Sequence, residues 1–393
     1  HLLHCLPKVN VRQLFLELQG TFSLASKSAS FNSRYKDLHV FQLEHPTKVI
    51  EWTGDKNICV AGYTGARSEI LELLLPLKLY AGENQGLCAE RDFKVQHGGF
   101  SEEPIESLIH IPGTRCVVTS GSFSTTLQIW DIGGDDSDVI KKTGVINLKS
   151  TSAKGSKIAP GLTDEPAVLH GSCISEVQLT EIATGRVLYT VAKESSDSVS
   201  GLQFVNACVF LICASDGSLL MGDTRDPSTC HYPLEDSKSD LHWAFGLRTD
   251  GSQSEPSCCT VARLSSSGHM LLSDLRNVQR PFCQTQLNVQ HNTSENDFLN
   301  VCWAPVLDRC LSVSGFDGTV HIYNTMNWST EGQSPQPVFS HRGHEMSDEA
   351  KYSGSLPVVT IHSWHQSRPK TVLSAATDGS LHVWDWVDKI TDR

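Results

Sequence analysis

The sequence predicts an all-β fold, a single seven-bladed β-propeller, from three observations. The first is a repeated pattern in which two apolar strands are joined by a tight polar turn. The second is a set of apolar segments between the repeats, where the other strands of each blade would lie. The third is a strand at about 36–45 that belongs to no repeat and can close the ring. Together they assign residues 35–390 to one domain.

The repeat ends each time in an acidic residue or an asparagine. Its clear copies are at 211–227, 311–325 and 373–386, and weaker copies are at 117–132, 168–185 and 261–276. A seventh copy, at 58–73, is inferred from its position. The closing residues of the seven copies are Glu72, Asp131, Glu181, Asp223, Asp274, Asn324 and Asp385. Seven copies at this spacing predict seven blades with long loops.

The turns explain why the repeat forms hairpins. Gly217, Gly318 and Gly379 each follow an aspartate, and glycine supplies the positive φ that a short connection between two strands needs. The flanking segments alternate, so that Leu381 and Val383 share one face of their strand. A blade with two apolar faces cannot bury both by itself, and stacking the blades around an axis solves this problem.

Apolar segments between the repeats complete the blades. Innermost strands are predicted at 48–52, 104–111, 199–205, 241–247, 298–305 and 357–365, and outer strands at 145–148, 187–191, 283–288 and 337–341. Loops are predicted at 133–138, 149–166, 224–240, 248–257, 289–297 and 326–356. Gly98 and Gly99 are interpreted as a tight turn between blades. The serine-rich residues 1–34 are expected to be a disordered or non-native leader.

Composition argues against several classes of function. The formal net charge is −12, whereas proteins that grip nucleic acid are usually basic, so no direct nucleic-acid partner is expected. The longest apolar runs fall short of the 18 residues that a membrane span needs, so no membrane partner is expected either. The 13 cysteines include no CxxC pair, which is typical of buried thiols in a reducing compartment.

Motifs for catalysis are absent from the sequence. It contains no GxxxxGK[ST], GxSxG or HExxH string. Two histidine pairs, His341/His344 and His362/His365, are spaced by three residues, and on a strand this spacing places them on opposite faces. The sequence therefore predicts no enzyme, no metal site and no cofactor.

Several strings identify the family. They include VIEW at 49–52, ERDFKVQHGGFS at 90–101, SGFDGTV at 314–320, HRGH at 341–344 and SLHVWDWVD at 380–388. With these strings the chain resembles the WD-repeat propellers, and over roughly 35–390 it is similar to one particular family among them. The resemblance implies a buried polar network in the last blade, formed by His344, Ser374, Asp378 and Trp384. Its role would be structural, in spite of its serine, histidine and aspartate.

The resemblance also implies a function. It implies a non-catalytic scaffold that organises microtubules at spindle poles during cell division. It further implies a factor that assembles or stabilises the RNA-endonuclease subunits of the Integrator complex. We expect a protein that is monomeric on its own and cytoplasmic, associated with the spindle poles and cytoskeleton, with a nuclear pool. Its acidic surface would suit basic patches on such partners.

Two alternatives remain open. One is a substrate receptor of a ubiquitin ligase, a common role of WD-repeat proteins, although the Asp-x-Arg strings at 222–227 and 273–276 lack the usual tryptophan. The other is an enzyme that uses the central channel, which the apolar innermost strands disfavour.

Long loops and exposed aromatic or arginine side chains often dominate protein interfaces. On this basis the candidate partner contacts are Trp328, Arg342 and Tyr352, in the long loop at 326–356, together with Arg91 and Phe93.

Overall fold

The computed structural model consists of seven four-stranded antiparallel sheets, which confirms the predicted seven-bladed propeller. It describes residues 35–65, 67–76, 92–134, 136–149, 153–163, 165–234, 241–249, 259–290, 298–328, 334–346 and 356–387. The predicted leader at 1–34 lies outside these residues. No helix in the described ranges is long and apolar enough to cross a membrane.

The strands follow the chain from blade to blade. The closing strand and the first three blades comprise β1 (Tyr35–Gln42); β2 (Glu51–Trp52), β3 (Asn57–Ala61), β4 (Ser68–Leu74) and β5 (Lys94–Ser101); β6 (Ile105–His110), β7 (Cys116–Gly121), β8 (Thr126–Asp131) and β9 (Lys141–Asn147); β10 (Lys157–Pro160), β11 (Ala167–Gly171), β12 (Gln178–Glu181) and β13 (Val187–Thr190). The other four blades comprise β14 (Val199–Phe204), β15 (Val209–Ala214), β16 (Leu219–Asp223) and β17 (Asp226–Tyr232); β18 (Trp243–Arg248), β19 (Thr260–Ser265), β20 (His269–Asp274) and β21 (Cys283–Gln286); β22 (Asn300–Trp303), β23 (Cys310–Ser314), β24 (Val320–Asn324) and β25 (Phe339–His341); β26 (Val359–Trp364), β27 (Thr371–Ala376) and β28 (Ser380–Trp386).

The first strand of each blade lines the axis, because these strands contact one another around the ring. All seven run in the same direction. We call the side where they begin the front face; it also carries the β7–β8 and β15–β16 turns. We call the side where they end the back face; it carries the turns after the innermost strands, such as the β6–β7 turn at 111–115. The ring closes where the hydroxyl of Thr360 donates to the carbonyl of Thr47, at 2.5 Å.

The amino-terminal strand completes the last blade. β1 pairs antiparallel with β28, from Tyr35 opposite Trp386 to Gln42 opposite Ser380. The pairing confirms the predicted closure, although the strand ends at Gln42 and the chain then turns through Leu43, whose N–H donates to the carbonyl of Gly379 at 2.9 Å. Since β1 covers the edge of β28, the seventh sheet has four strands like the others.

Three predictions about loops were wrong. The stretch 149–166 contains β10, the innermost strand of the third blade, whose four residues are too few to show alternation. The stretch 224–240 contains β17, which is mostly polar because it is an exposed outer strand. Gly98 and Gly99 lie within β5 and not in a turn. A Cβ on Gly99 would lie 2.6 Å from the carbonyl oxygen of Ile140, so the glycine permits close backbone approach between two blades.

The turn glycines behave largely as predicted. Gly217 and Gly379 have φ of +84° and +79°. In the sixth blade the positive φ falls on Gly315, at +100°, and not on Gly318 as predicted. A Cβ on Gly315 would lie 2.2 Å from the carbonyl oxygen of Phe298. Glycine at this position therefore lets the backbone of Phe298 approach more closely than any side chain would allow.

The core consists of apolar clusters between neighbouring blades. Tryptophans of the innermost strands connect the blades. The indole N–H of Trp52 donates to Ser363 at 3.1 Å, and that of Trp303 donates to the carbonyl of Gly246, also at 3.1 Å. In both cases the acceptor belongs to the preceding blade in the ring, so these side chains fix the angle between blades.

Candidate functional site

The predicted polar network lies inside the last blade, and its hydrogen bonds form one chain. The indole N–H of Trp384 donates to the hydroxyl of Ser374 at 3.2 Å, and Ser374 lies 2.8 Å from Nε2 of His344. Nδ1 of His344 lies 2.7 Å from the hydroxyl of Ser380, which donates to Asp378 at 2.6 Å. Asp378 therefore acts on His344 through Ser380, a residue that sequence reasoning did not include.

This series of hydrogen bonds assigns a structural role to the network. Since Ser380 donates to Asp378, its oxygen accepts Nδ1–H of His344, and Nε2 then accepts the proton of Ser374. Burial lowers the pKa of His344 to about 3, so the imidazole is neutral at physiological pH. His344 and Ser374 are both fully buried. A substrate could reach neither group. Protonation of His344 would remove the acceptor for Ser374 and so interrupt the series of hydrogen bonds.

Two further histidines extend the network towards the closing strand. His341 lies 3.0 Å from His382, between Nε2 and Nδ1, and the hydroxyl of Tyr35 lies 2.8 Å from Nδ1 of His341. The rings of His344 and His382 stack at 3.8 Å. His341 is the last residue of β25, whereas His344 lies in a turn of 3-10 helix at Gly343–Met346, so the prediction that they lie on opposite faces of one strand was wrong.

These three buried histidines are the one group in the described residues with the composition of a metal site. Their ligand atoms lie within 4.8 Å of one another. Both nitrogens of His344 and both nitrogens of His341 already have hydrogen-bond partners, so an ion would have to displace those bonds. Burial, together with the neighbouring imidazoles, holds the pKa of His341 and His382 well below the ordinary value. The geometry favours a neutral hydrogen-bonded cluster.

In the sixth blade the corresponding hydrogen bonds are made with residues of the seventh blade. Tyr323 stands where the last blade has tryptophan, and the indole N–H of Trp364, in the seventh blade, donates to Ser312 at 2.7 Å. His362, also in the seventh blade, lies 2.6 Å from Ser312 and 2.7 Å from Ser314. Sequence reasoning missed this group because its members come from two blades. The only signal was a histidine within the apolar segment PVVTIHSWH.

A second missed group joins the first two blades. The carboxylate of Glu72 is fully buried and accepts two hydrogen bonds from Arg115, at 3.0 and 2.7 Å. His97 and Thr53 bond the same carboxylate at 2.5 and 2.6 Å. Burial would raise the pKa of Glu72, but the hydrogen bonds of Arg115 and Thr53 outweigh it and lower that pKa. Glu72 was predicted only as the closing residue of its repeat.

The predicted partner contacts are distributed over both faces. Arg342 is exposed on the front face, directly after β25. Trp328 is half-buried on the back face, where its ring packs edge-on against Tyr323 at 5.6 Å. Phe93 is 8% exposed and packs against Phe41 in the core, so its ring offers no contact surface. Arg91 and Tyr352 lie outside the described residues.

The front face has a cavity at the mouth of the central channel. Its volume is about 260 Å³, and it is lined by the starts of innermost strands from five blades. Lys48 is held in its wall by Glu106 at 2.5 Å and lies over the rings of Tyr63 and Phe298, at 4.5 and 5.6 Å from their centroids. The other lining residues are Ser107, Ser122, Ala153, Lys154, Lys157, Leu299, Asn300, Thr360 and Ile361.

An exposed aromatic residue stands beside this cavity. Phe123 follows Ser122 in the β7–β8 turn, and 71% of its surface is exposed. Its φ is +56°, a left-handed conformation that is uncommon for a residue other than glycine or asparagine. Ser122 donates to Glu106 at 3.0 Å, which fixes the turn against the cavity wall. Sequence reasoning gave this turn no role, because position alone does not reveal exposure.

At the back of the channel Glu51 and His110 are neighbours, but their side chains are not arranged as a catalytic pair. Burial raises the pKa of Glu51 to about 7, and its carboxylate accepts the backbone N–H of His110 at 3.0 Å. The ring of His110 is directed elsewhere, with Nε2 2.7 Å from the carbonyl of Thr114. The side chains of Glu51 and His110 therefore do not form an acid–base pair.

Comparison with known proteins identifies the family. A chain from Danio rerio named Integrator complex assembly factor WDR73 is 82% identical over 359 residues, which is 91% of this chain and 95% of that protein. The chain belongs to the WDR73 family. The proteins of the same name from Xenopus laevis and Homo sapiens are 44% and 39% identical over 90% and 91% of this chain, and the alignments cover 96% of each protein. No protein-family model matches the chain.

Membership of the WDR73 family confirms the resemblance noted in the sequence. The region aligned with these relatives includes most of the propeller, since it covers nine tenths of the chain.

Proposed function

We propose that the protein is a non-catalytic scaffold in the assembly of the Integrator complex, and that it holds the endonuclease subunits of the complex. The observation that carries the proposal is 82% identity, over 95% of its length, with a protein named as an Integrator complex assembly factor. At this identity most surface residues are shared as well as the core, so a shared partner follows more readily than from fold alone.

The structure supports a scaffold in two ways. The Arg115–Glu72 group and the histidine networks connect neighbouring blades, which makes the ring a rigid platform. The two faces present different surfaces, with a charged cavity on the front and tryptophans on the back.

The test is co-expression with the Integrator endonuclease subunits, followed by affinity purification and size-exclusion chromatography. We expect one stable complex containing the protein, and we expect cells that lack it to contain less assembled Integrator until it is restored. Failure of the wild-type chain to co-purify, together with normal Integrator levels in its absence, would contradict the proposal.

A cytoplasmic location with a nuclear pool, and a role in microtubule organisation at spindle poles, are part of the same proposal and rest on the resemblance of the sequence. Microscopy of a tagged full-length chain in dividing cells tests both. Even distribution at mitosis, with no concentration at the poles, would remove the spindle-pole role.

The ubiquitin-ligase alternative gains no support from the fold. In both Asp-x-Arg strings the arginine is bound by its own aspartate, Arg225 to Asp223 at 2.6 Å and Arg276 to Asp274 at 2.5 Å. Neither pair needs a partner to satisfy its charge. Co-purification of a ubiquitin-ligase adaptor in place of Integrator subunits would favour this alternative.

A further inference from the structure

We infer that a carboxylate side chain of a partner protein binds at the front face between the fourth and fifth blades, to the guanidinium of Arg263 and the indole N–H of Trp243. The inference deepens the proposed function and rests on it for the identity of the partner, whereas the site is argued from this chain alone. Two buried donors that lack acceptors carry it.

Arg263, in β19, is a buried cation without a counter-ion among the described residues. It is 2% exposed, and its Nη1 donates to the carbonyl of Gly217 at 3.0 Å. Its Nε is buried and has no acceptor in the described part of the chain, and no carboxylate there forms an ion pair with it. Burial lowers the pKa of Arg263, but a guanidinium stays protonated in a protein. Since a buried cation is costly until an anion pairs with it, Arg263 is suited to bind one.

Trp243 supplies a second donor on the same face of the fifth blade. It is the first residue of β18 and is 4% exposed, and its indole nitrogen has no acceptor among the described residues. In the β18–β19 pair Trp243 lies opposite Ser265. Arg263 precedes Ser265 by two residues, so the side chains of Arg263 and Trp243 project from the same face of the sheet. The indole N–H of Trp303, by contrast, is bonded to Gly246.

Both side chains meet the β15–β16 turn of the fourth blade at Gly217. Arg263 donates to its carbonyl, and a Cβ on this glycine would lie 2.7 Å from the indole ring of Trp243. The φ of Gly217 is +84°, so both the conformation and the close approach require glycine. Asp216 and His242, the chain neighbours of Gly217 and Trp243, are exposed. The two donors therefore lie directly beneath the surface of the front face.

These donors favour a planar oxyanion with a single charge. A carboxylate has two oxygens in one plane, which can accept the N–H groups of Arg263 and Trp243 separately, and its one negative charge balances the one cation. A phosphate group carries more than one negative charge at neutral pH, which Arg263 alone would not balance. The carboxylate of Asp216 is held by its own turn, where it accepts the N–H of Ser218 at 2.8 Å. An aspartate or glutamate side chain that protrudes from a partner fits the site.

The first experiment tests the site without a partner, with the full chain and sodium acetate as the probe. Thermal melts compare acetate with chloride at equal ionic strength. We expect about 100 mM acetate to raise the melting temperature of the wild type by about 1–2 °C and to leave that of Arg263→Met unchanged. In chloride, Arg263→Met melts at the same temperature as the wild type or higher, because it removes an unpaired buried cation. Arg115→Met is the matched control: it removes an arginine paired with Glu72, so it melts lower but keeps the acetate shift.

The second experiment measures co-purification with the Integrator endonuclease subunits. We expect Arg263→Met and Trp243→Phe each to reduce recovery by at least about tenfold, since each removes a hydrogen bond to a charged group. Trp243→Phe keeps most of the ring and loses no bond within the described residues, so its melting temperature stays close to that of the wild type. Trp303→Phe is the matched control, because it loses the bond to Gly246 and melts lower but recovers the subunits normally.

An equal acetate shift in the wild type and Arg263→Met would overturn the inference, and so would normal recovery of the subunits by Arg263→Met. A larger shift with inorganic phosphate than with acetate would show that the site does not select a carboxylate. Glu235, Asp236 and Asp240, which precede Trp243 in the sequence, lie outside the described residues. If their combined change to amides lowers the melting temperature and enlarges the acetate shift, the counter-ion belongs to the chain itself and the inference is wrong.

Failure of the proposed function gives a different result. A wild-type chain that shows the acetate shift, and loses it in Arg263→Met, but never co-purifies with Integrator subunits retains the carboxylate site and loses the named partner.

Discussion

Arg115 donates two hydrogen bonds to the carboxylate of Glu72, at 3.0 and 2.7 Å, and so joins the second blade of the propeller to the first. Arg115 lies in the β6–β7 turn and Glu72 near the end of β4. The same guanidinium donates to the carbonyl of Gly133 at 2.7 Å, so one side chain fixes a strand, a turn and a loop. The buried carboxylate depends on this contact for its charge balance.

Removal of the guanidinium is therefore expected to destabilise the ring. Arg115→Ala leaves Glu72 buried without its cation, and we expect a loss of about 2–4 kcal/mol in the free energy of unfolding. Urea denaturation followed by tryptophan fluorescence measures it. Arg186→Ala is the control, because Arg186 is 70% exposed and lies 3.7 Å from Glu181, and we expect less than about 0.5 kcal/mol. Equal losses in the two variants would contradict the assignment.

The network of the last blade predicts separate effects for its ring and its N–H. Trp384→Phe keeps most of the buried ring and removes the donor to Ser374, which should cost about 1–2 kcal/mol. Trp384→Ala also leaves a cavity and should cost about 3–5 kcal/mol. Chemical denaturation of both variants distinguishes the two contributions. A Phe variant as unstable as the Ala variant would show that the hydrogen bond carries most of the effect.

Buried histidines make the protein sensitive to acid. Burial lowers the pKa of His344 and His362 to about 3, while unfolded histidine titrates near 6.5. Between these values the unfolded chain binds more protons, so the stability that the neutral rings confer is complete above about pH 6.5 and is lost as the pH falls. Glu51 acts in the opposite sense, because its pKa is raised to about 7 and its contribution is lost as the pH rises.

With several such histidines and few such acids, we expect the urea midpoint to fall steadily between pH 7 and pH 5. Each buried histidine contributes up to about 1.4 kcal/mol per pH unit. His362→Gln should reduce this slope, whereas His242→Gln, at an exposed position, should leave it unchanged. A midpoint that rises on acidification would show that the carboxyl groups dominate.

The three-histidine cluster is expected to bind no metal at stoichiometric level. Its rings already exchange hydrogen bonds with Ser374, Ser380 and Tyr35, and an ion would have to replace them. Purification in the presence of Zn²⁺, followed by elemental analysis and a thermal melt with and without chelator, measures this. One equivalent of zinc with a melting temperature that drops on chelation would require a metal site here.

The closing strand is expected to be essential to the ring. A chain that begins at Leu43 lacks β1 and exposes the edge of β28, so we expect a melting temperature lower by roughly 10 °C or more and a tendency to aggregate. A chain that begins at Tyr35 keeps β1 and serves as the control. Thermal unfolding and light scattering compare the two. Identical melting curves would mean that β1 does not hold the ring closed.

Much of this protein could be predicted from its sequence because the repeat is local. The alternation of apolar residues and the Asp-Gly turns are set by contacts within one hairpin, so the strands around Gly217 and Gly379 could be placed from composition and spacing. The four residues of β10 could not, because their strand character comes from pairing with β11 and not from their own pattern. The family, too, was evident from strings such as SGFDGTV.

The tertiary structure decided everything that depends on two blades meeting. The bond from Trp364 to Ser312 and the one from Arg115 to Glu72 join residues 52 and 43 positions apart, and neither pair has a fixed spacing that a sequence could reveal. The sequence could not distinguish the buried Phe93 from the exposed Phe123, since both are aromatic residues with polar neighbours. The sequence by itself determined the number of blades and their closure by the strand beginning near residue 35; which side chains face a neighbour and which face a partner follows only from the curvature of the closed ring.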